Sequence, residues 1–161
     1  MINGVQPSLT FAPSKSLIFL GRLIKYFKAD ENGYKDSEIT ILSMKPENDS
    51  IMNEVNKIDG IAISRTRNNN SVFYTTSKKF KGLESKVVII VDIDETCFSD
   101  EKQKRSFYVA CSRARHRLAL FIDGNDEKIL KIANAATKGA FSAKGKILTK
   151  TKTIMLNDDK F

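Results

Sequence analysis

The run Thr75-Thr76-Ser77-Lys78-Lys79-Phe80-Lys81-Gly82-Leu83-Glu84-Ser85-Lys86-Val87-Val88-Ile89-Ile90-Val91 divides into two halves of opposite character. Residues 87–91 are an unbroken apolar, β-branched series closed by Asp92. Such a series fits a strand covered on both faces, the usual state of a parallel sheet in an α/β domain. Residues 75–84 are a polar loop with a single glycine, Gly82, between Lys81 and the nearby Glu84. A glycine there lets backbone approach a ligand, with a cation and a carboxylate beside it. On its own the stretch reads equally well as a basic surface turn that leads into a buried strand.

Working outward, strand and helix signals alternate. Residues 8–12 form a strand signal ended by Pro13, and Ser14 is a plausible N-cap. Leu17, Ile18, Leu20, Leu23, Ile24 and Phe27 then recur at helical spacing. Gly33 and the polar run 30–36 break that helix, and residues 38–42 read as the next strand. Residues 49–58 are expected to form a short helix with Ile51, Met52, Val55 and Ile58 on one side. Strands are expected at 61–64 and 72–75, separated by the turn signal Asn68-Asn69-Asn70. Arg65 and Arg67 in that turn region read as solvated.

Downstream of the central strand, Asp92, Asp94 and Glu95 are expected in a solvated loop at its C-terminal end. Ser99-Asp100 caps a helix that runs to about Arg113, and a strand follows at 117–123. A further helix is expected at 126–136, with Ile129, Leu130, Ile132 and Ala133 inward. From Thr137 the periodicity dissolves into lysines spaced by small and polar residues, with no acid before Asp158.

The composition, 41% hydrophobic and 29% charged over 161 residues, is that of one globular domain with a core. No apolar stretch approaches the roughly 20 residues a membrane helix requires, and the N-terminus does not resemble a signal peptide. Cys97 and Cys111 lack metal-ligand spacing and read as reduced, incidental thiols. A net charge of +8 favours a polyanionic partner, nucleic acid being the commonest.

A second stretch adds specificity. Phe107-Tyr108-Val109-Ala110-Cys111-Ser112-Arg113-Ala114-Arg115 resembles motif VI of the UvrD/Rep-like superfamily 1 DNA helicases, Tyr-Val-Ala-x-(Thr/Ser)-Arg-Ala-Arg. Residues 76–84 resemble motif V of that family, Thr-x-His-x-x-Lys-Gly-Leu-Glu. The two occur in the family's order with a strand between them. The resemblance is close over about 75–123, looser over 5–64, and absent after about 137.

The resemblance implies the second, C-terminal RecA-like domain of such a helicase. That would be a three-layer α/β domain of P-loop NTPase type, with a mostly parallel sheet and helices on both faces. Its domain would occupy 1–136, and 137–161 would be a basic, poorly structured tail. Arg113 would be the arginine finger, a guanidinium that stays charged and offers a fork of donors to phosphate oxygens. Glu84 would accept a hydrogen bond from the nucleotide ribose, with Gly82 and Lys81 in the nucleotide loop. Thr76, Ser77 and Lys78 would lie against single-stranded nucleic acid.

Two positions depart from the motif. Lys78 stands where histidine is usual and cannot stack on a base as imidazole does, and Ser85 stands where phenylalanine is common. The sequence holds no Gly-x-x-x-x-Gly-Lys-(Ser/Thr) loop and no Walker-B carboxylate pair, and the arginine of motif IV is unmatched.

ATP and Mg²⁺ are accordingly expected only in a complete helicase, the metal being held by the first RecA-like domain, and no cofactor is expected tightly bound here. Expected partners are single-stranded or partly duplex DNA and the first RecA-like domain, in cis or in trans, with no membrane and a cytoplasmic setting. Two other readings stand beside this one: a stand-alone nucleic-acid-binding or regulatory module descended from such a domain, and an unrelated α/β domain.

Overall fold

The computed structural model describes residues 6–12, 16–29, 32–123, 127–128, 131–132 and 152–155. In chain order, strand β1 (Gln6–Ala12) leads to helix α1 (Ser16–Lys28) and strand β2 (Ile39–Ser43). Strands β3 (Lys57–Ile58), β4 (Ile61–Ser64), β5 (Val72–Thr76) and β6 (Ser85–Val91) follow. Helix α2 (Glu101–Cys111), β7 (Ala114–Asp123) and β8 (Lys152–Met155) come after them, with short 3₁₀ turns at Asp36–Glu38, Glu47–Asp49 and Glu95–Phe98 in between. The strands form one sheet in the order β3-β4-β5-β2-β6-β7-β1-β8. Every neighbouring pair from β4 to β8 is parallel, and only the β3–β4 pair is antiparallel.

The β-branched run is the keel of this sheet. On β6, Val87, Ile89 and Val91 join one core cluster, and Val88 and Ile90 join the other. All five are fully buried. Successive side chains of a strand point to opposite faces, so an unbroken apolar series is stable only where both faces are covered. Each such side chain contributes about 1.5–3 kcal/mol of burial. Helix α1 covers one face through Leu20, Leu23, Ile24 and Phe27. Helix α2 covers the other through Phe107, Ala110 and Cys111, helped by Phe80 from the loop between β5 and β6. The expected three-layer α/β architecture is therefore present, with helices on both faces.

The two faces also sort the crossovers. The connection through α1 steps from β1 to β2 in one direction along the sheet. The connections β5–β6 and β6–β7 step the opposite way on the opposite face. Right-handed parallel crossovers require this arrangement. Gly21 marks where α1 presses closest: a Cβ there would lie 2.9 Å from Ile58 Cγ2, on the β3–β4 hairpin.

The expected helix at 49–58 is not formed. That segment holds a short 3₁₀ turn, Glu47–Asp49, then turns and strand β3. The Ser50 hydroxyl and the Ile51 amide are drawn instead to the Asp92 carboxylate. Further on, Asp59 (φ 50°) and Gly60 (φ 82°) join β3 to β4 in a two-residue hairpin turn. Asp-Gly between short apolar runs is a strong hairpin signal, and it outweighs the helical spacing of Ile51, Met52, Val55 and Ile58.

Helix α2 is capped by Asp100, which accepts from the Gln103 amide at 2.8 Å, as expected of Ser99-Asp100. Of the helix expected at 126–136, residues 127–128 and 131–132 are helical and Ile132 is buried; Ile129, Leu130 and Ala133 lie outside the described residues. So do Pro13, Ser14 and all of 137–161 except β8, which pairs with β1.

Candidate functional site

Parallel pairing of β6 with β7 puts Ser85 opposite Ala114, and the Ser85 amide donates to the Arg113 carbonyl at 3.1 Å. Glu84 and Arg113 each immediately precede one of those paired residues. They therefore meet at one edge of the sheet, the end where β6 and β7 begin. Glu84 is exposed and Arg113 half-buried.

The loop 77–84 crosses from the opposite edge. It leaves the C-terminal end of β5, where the Ser77 amide donates to the Ser43 carbonyl at 2.8 Å. It is pinned to the sheet midway by buried Phe80 and turns at Gly82, whose φ is +75°. Nothing lies within 4 Å of a Cβ built on Gly82, so its requirement is conformational: left-handed backbone costs other residues about 1–2 kcal/mol. The loop thus hands its first residues to one edge and Glu84 to the other.

Between this loop and α2 lies an open cleft of about 490 Å³, floored by Leu42. Lys78, Lys81, Lys102, Arg105 and Arg113 line it together with Ser77, Gln103 and Ser106, and its lining contains no carboxylate. A neighbouring recess of about 610 Å³ at the C-terminal edge shares Ser77, Lys78, Gln103 and Ser106 with it and adds Thr76, Lys79, Lys45 and Glu47. Of the expected site residues, Ser77, Lys78, Lys81 and Arg113 share one cleft, and Thr76 joins through the adjoining recess. Glu84 and Gly82 line neither. Among the described residues no group of His, Cys, Asp and Glu is arranged to hold a metal ion. The donor set suits phosphate oxygens.

Asp92, expected in a solvated loop, is instead buried. Asp92 is 4% exposed and sits at φ 60° immediately after β6. It accepts from the hydroxyls of Ser43 and Ser50 and from the Ile51 amide at 3.0 Å. Burial of a carboxylate is tolerable only when its oxygens are hydrogen-bonded in this way. Asp94 is also engaged, with Lys45 at 3.0 Å and with the hydroxyl and amide of Thr96. Partial burial alone would raise the Asp94 pKa, but those donors hold its carboxyl below the usual carboxylate value. Lys45 is pushed up in turn: burial opposes its charge, and Asp94 more than compensates. Glu95 is exposed, as expected.

The two loop arginines make specific contacts beyond the solvation expected of them, Arg65 half-buried and Arg67 exposed. Arg65 pairs with Glu47 at 3.0 Å, donates to the carbonyls of Val55 and Met52, and lies over the Tyr74 ring. Arg67 donates to the Glu84 carbonyl at 2.7 Å, with its guanidinium over the rings of Phe73 and Phe80 at 5.3 and 5.4 Å. It thereby ties the Gly82–Glu84 turn to β5. Aromatic residues at 73 and 80 were the signal available in the sequence, but only the fold brings them to one arginine. Cys97 and Cys111 are buried and not joined in a disulfide, and burial pushes the Cys97 thiol up to about 11, consistent with an inert thiol. His116 is exposed near the Tyr34 ring.

Residues 71–121 match the family model of the UvrD-like helicase C-terminal domain. No curated protein matches the chain. Among solved structures, the C-terminal domain of a possible DNA helicase from Lactobacillus plantarum WCFS1 superposes with a TM-score of 0.61 at 15% identity. That match covers 91% of this chain and 84% of the other, and it speaks for the fold. The segment 71–121, with β5, β6, α2 and most of β7, thus carries the signature of a UvrD-like helicase C-terminal domain, on a fold shared with the C-terminal domain of a possible DNA helicase.

Proposed function

We propose that the chain acts as the second motor domain of an ATP-dependent DNA helicase, supplying half of a nucleotide site that a first RecA-like domain completes. The observation that carries this reading is the placement of Glu84 and Arg113 before paired residues of β6 and β7. They share one edge, in a chain without any phosphate-cradling Walker-A loop.

In this reading Arg113 approaches the transferred phosphoryl group. Negative charge spreads over its oxygens in the transition state, and an arginine finger there contributes about 10³–10⁵ in rate. Glu84 accepts a hydrogen bond from a ribose hydroxyl, and Gly82 and Lys81 shape the loop around the nucleotide. Bound ATP with Mg²⁺ supplies the phosphoanhydride and its charge neutralisation, the metal being held by the other domain. Thr76, Ser77 and Lys78 face single-stranded DNA at the opposite end of the loop. Residues 137–161, which include β8, add further lysines. No helix of the described residues is long and apolar enough to cross a membrane, and we place the domain in the cytoplasm.

The test has two parts. The isolated chain is expected to hydrolyse no ATP. In a motor holding both domains, Glu84→Ala is expected to raise KM for ATP about fivefold with kcat little changed, as for one lost hydrogen bond of about 1 kcal/mol. ATP turnover by the isolated chain would overturn the shared-site reading. An unchanged KM would remove Glu84 from the site.

A further inference from the structure

We propose that α2 forms the second wall of a single-stranded nucleic-acid channel, with Lys102 and Arg105 as phosphate contacts opposite Lys78. The inference rests on the DNA-facing role given above to the 76–78 loop and extends it to Lys102 and Arg105, in the part of α2 that precedes the motif VI stretch.

Lys102, Arg105, Val109 and Arg113 recur at spacings of three and four residues and so form one stripe along α2 and its C-terminal end. The opposite side of the helix, Phe107, Ala110 and Cys111, is buried in the core. The stripe faces the lysines of the 77–84 loop across the cleft. None of the five cleft cations forms an ion pair with a described residue. Lys104, on another side of the helix, pairs with Glu101.

Like charges at helical neighbours cost a few tenths of a kcal/mol each, and no carboxylate in the lining offsets that cost. A row of unpaired cations is matched by a row of anions. Val109, 39% exposed in the middle of the stripe, offers an apolar surface to a sugar or base. A phosphodiester backbone that leaves Thr76, Ser77 and Lys78 meets Lys102 and Arg105 next, and Arg113 at the far end of the row is left to the nucleotide.

The experiment measures fluorescence anisotropy of a labelled oligothymidine over a salt series. It compares the parent chain, the double variant Lys102→Gln/Arg105→Gln, and Lys57→Gln on the distant hairpin. Inorganic tripolyphosphate is titrated as a competitor, and thermal melts confirm that the exposed substitutions leave the fold intact. Each lost phosphate contact on a single strand lowers the slope of log K against log salt by about 0.7, so the double variant should lose about 1.4. Its affinity at low salt should fall at least tenfold, while Lys57→Gln matches the parent.

A double variant with the parent's slope and affinity would overturn the α2 wall while leaving the loop contacts standing. A variant that loses tripolyphosphate affinity but keeps oligothymidine affinity would overturn it as well, making the cleft a small-anion site. A parent chain that binds no oligothymidine at low salt would remove the DNA-facing role of Thr76, Ser77 and Lys78 together with the wall. The nucleotide-site assignment of Glu84 and Arg113 is read separately, by the kinetics of the two-domain motor.

Discussion

Two charged regions, one just after β6 and one between the 77–84 loop and α2, use charge in opposite ways. At the C-terminal end of β6, the Asp92 carboxylate is buried and its oxygens take two hydroxyls and an amide from the β2 exit and the segment beyond it. Across α2, five cations line an open cleft with no carboxylate in its lining. Charge that is satisfied within the chain holds loops together. Charge that is left unmatched inside a cleft is available to a ligand. The difference separates what the chain needs in order to fold from what it offers to a partner.

Substitutions can break that contrast from either side. The largest stability loss is expected for Asp92→Ala, which abandons three buried donors at once and puts alanine at a left-handed backbone position. The expected cost is about 3 kcal/mol in denaturant unfolding. Asp92→Asn keeps an acceptor for the Ile51 amide and tolerates that backbone, so about 1–2 kcal/mol is expected. A cost within about 0.5 kcal/mol of zero for Asp92→Ala, the range of ordinary surface changes, would make the carboxylate a surface group after all.

Arg67→Ala sits between the two regions, because its guanidinium stabilises the loop that carries the site. A loss of about 1 kcal/mol is expected from one hydrogen bond and two ring contacts. Amide exchange at Leu83 and Glu84 should also quicken about tenfold, while the amides of β6 stay protected. Arg67→Lys should restore little, since a compact ammonium replaces a planar group that lies over two rings. Uniform quickening across β6 would mean that Arg67 supports the fold at large.

The smallest effect belongs to the Lys45–Asp94 pair, partly exposed and worth under about 1 kcal/mol. Asp94 has a lowered pKa, so its contribution is present above the ordinary carboxylate value of 3.8 and is lost as pH falls through the lowered one. Lys45 has a raised pKa, so its contribution is complete below the ordinary 10.5 and is lost as pH rises through the raised one. Between these limits the pair is flat. Comparison of parent and Asp94→Asn unfolding across that range should show a constant difference that shrinks only at the two extremes. A difference that varies steadily between pH 5 and 9 would assign it to other groups.

Much of the fold was legible because its keel is local. A β-branched run needs cover on both faces, and residues 87–91 say so without reference to anything distant. The segment 49–58 was misread because Ser50 and Ile51 answer to a carboxylate 41 or 42 residues later, a partner that helical spacing cannot reveal. Asp92 was misread for the same reason, and the contacts of exposed Arg67 were missed for it: each is defined by groups the fold brings from elsewhere. The site divides along similar lines. Motif resemblance gave Lys78 to nucleic acid and Lys81 and Arg113 to the nucleotide, whereas all three line one cleft. Lys102 and Arg105 carry no motif and enter only because α2 lies alongside the loop.

Kinetics of Arg113→Ala in a motor containing both domains test the shared nucleotide site most directly. Arg113 is proposed to act on the transition state, so kcat for DNA-stimulated ATP hydrolysis should fall by about 10³ or more while KM for ATP stays within about threefold. A turnover number within about threefold of the parent, a barrier change under roughly 0.7 kcal/mol, would contradict it.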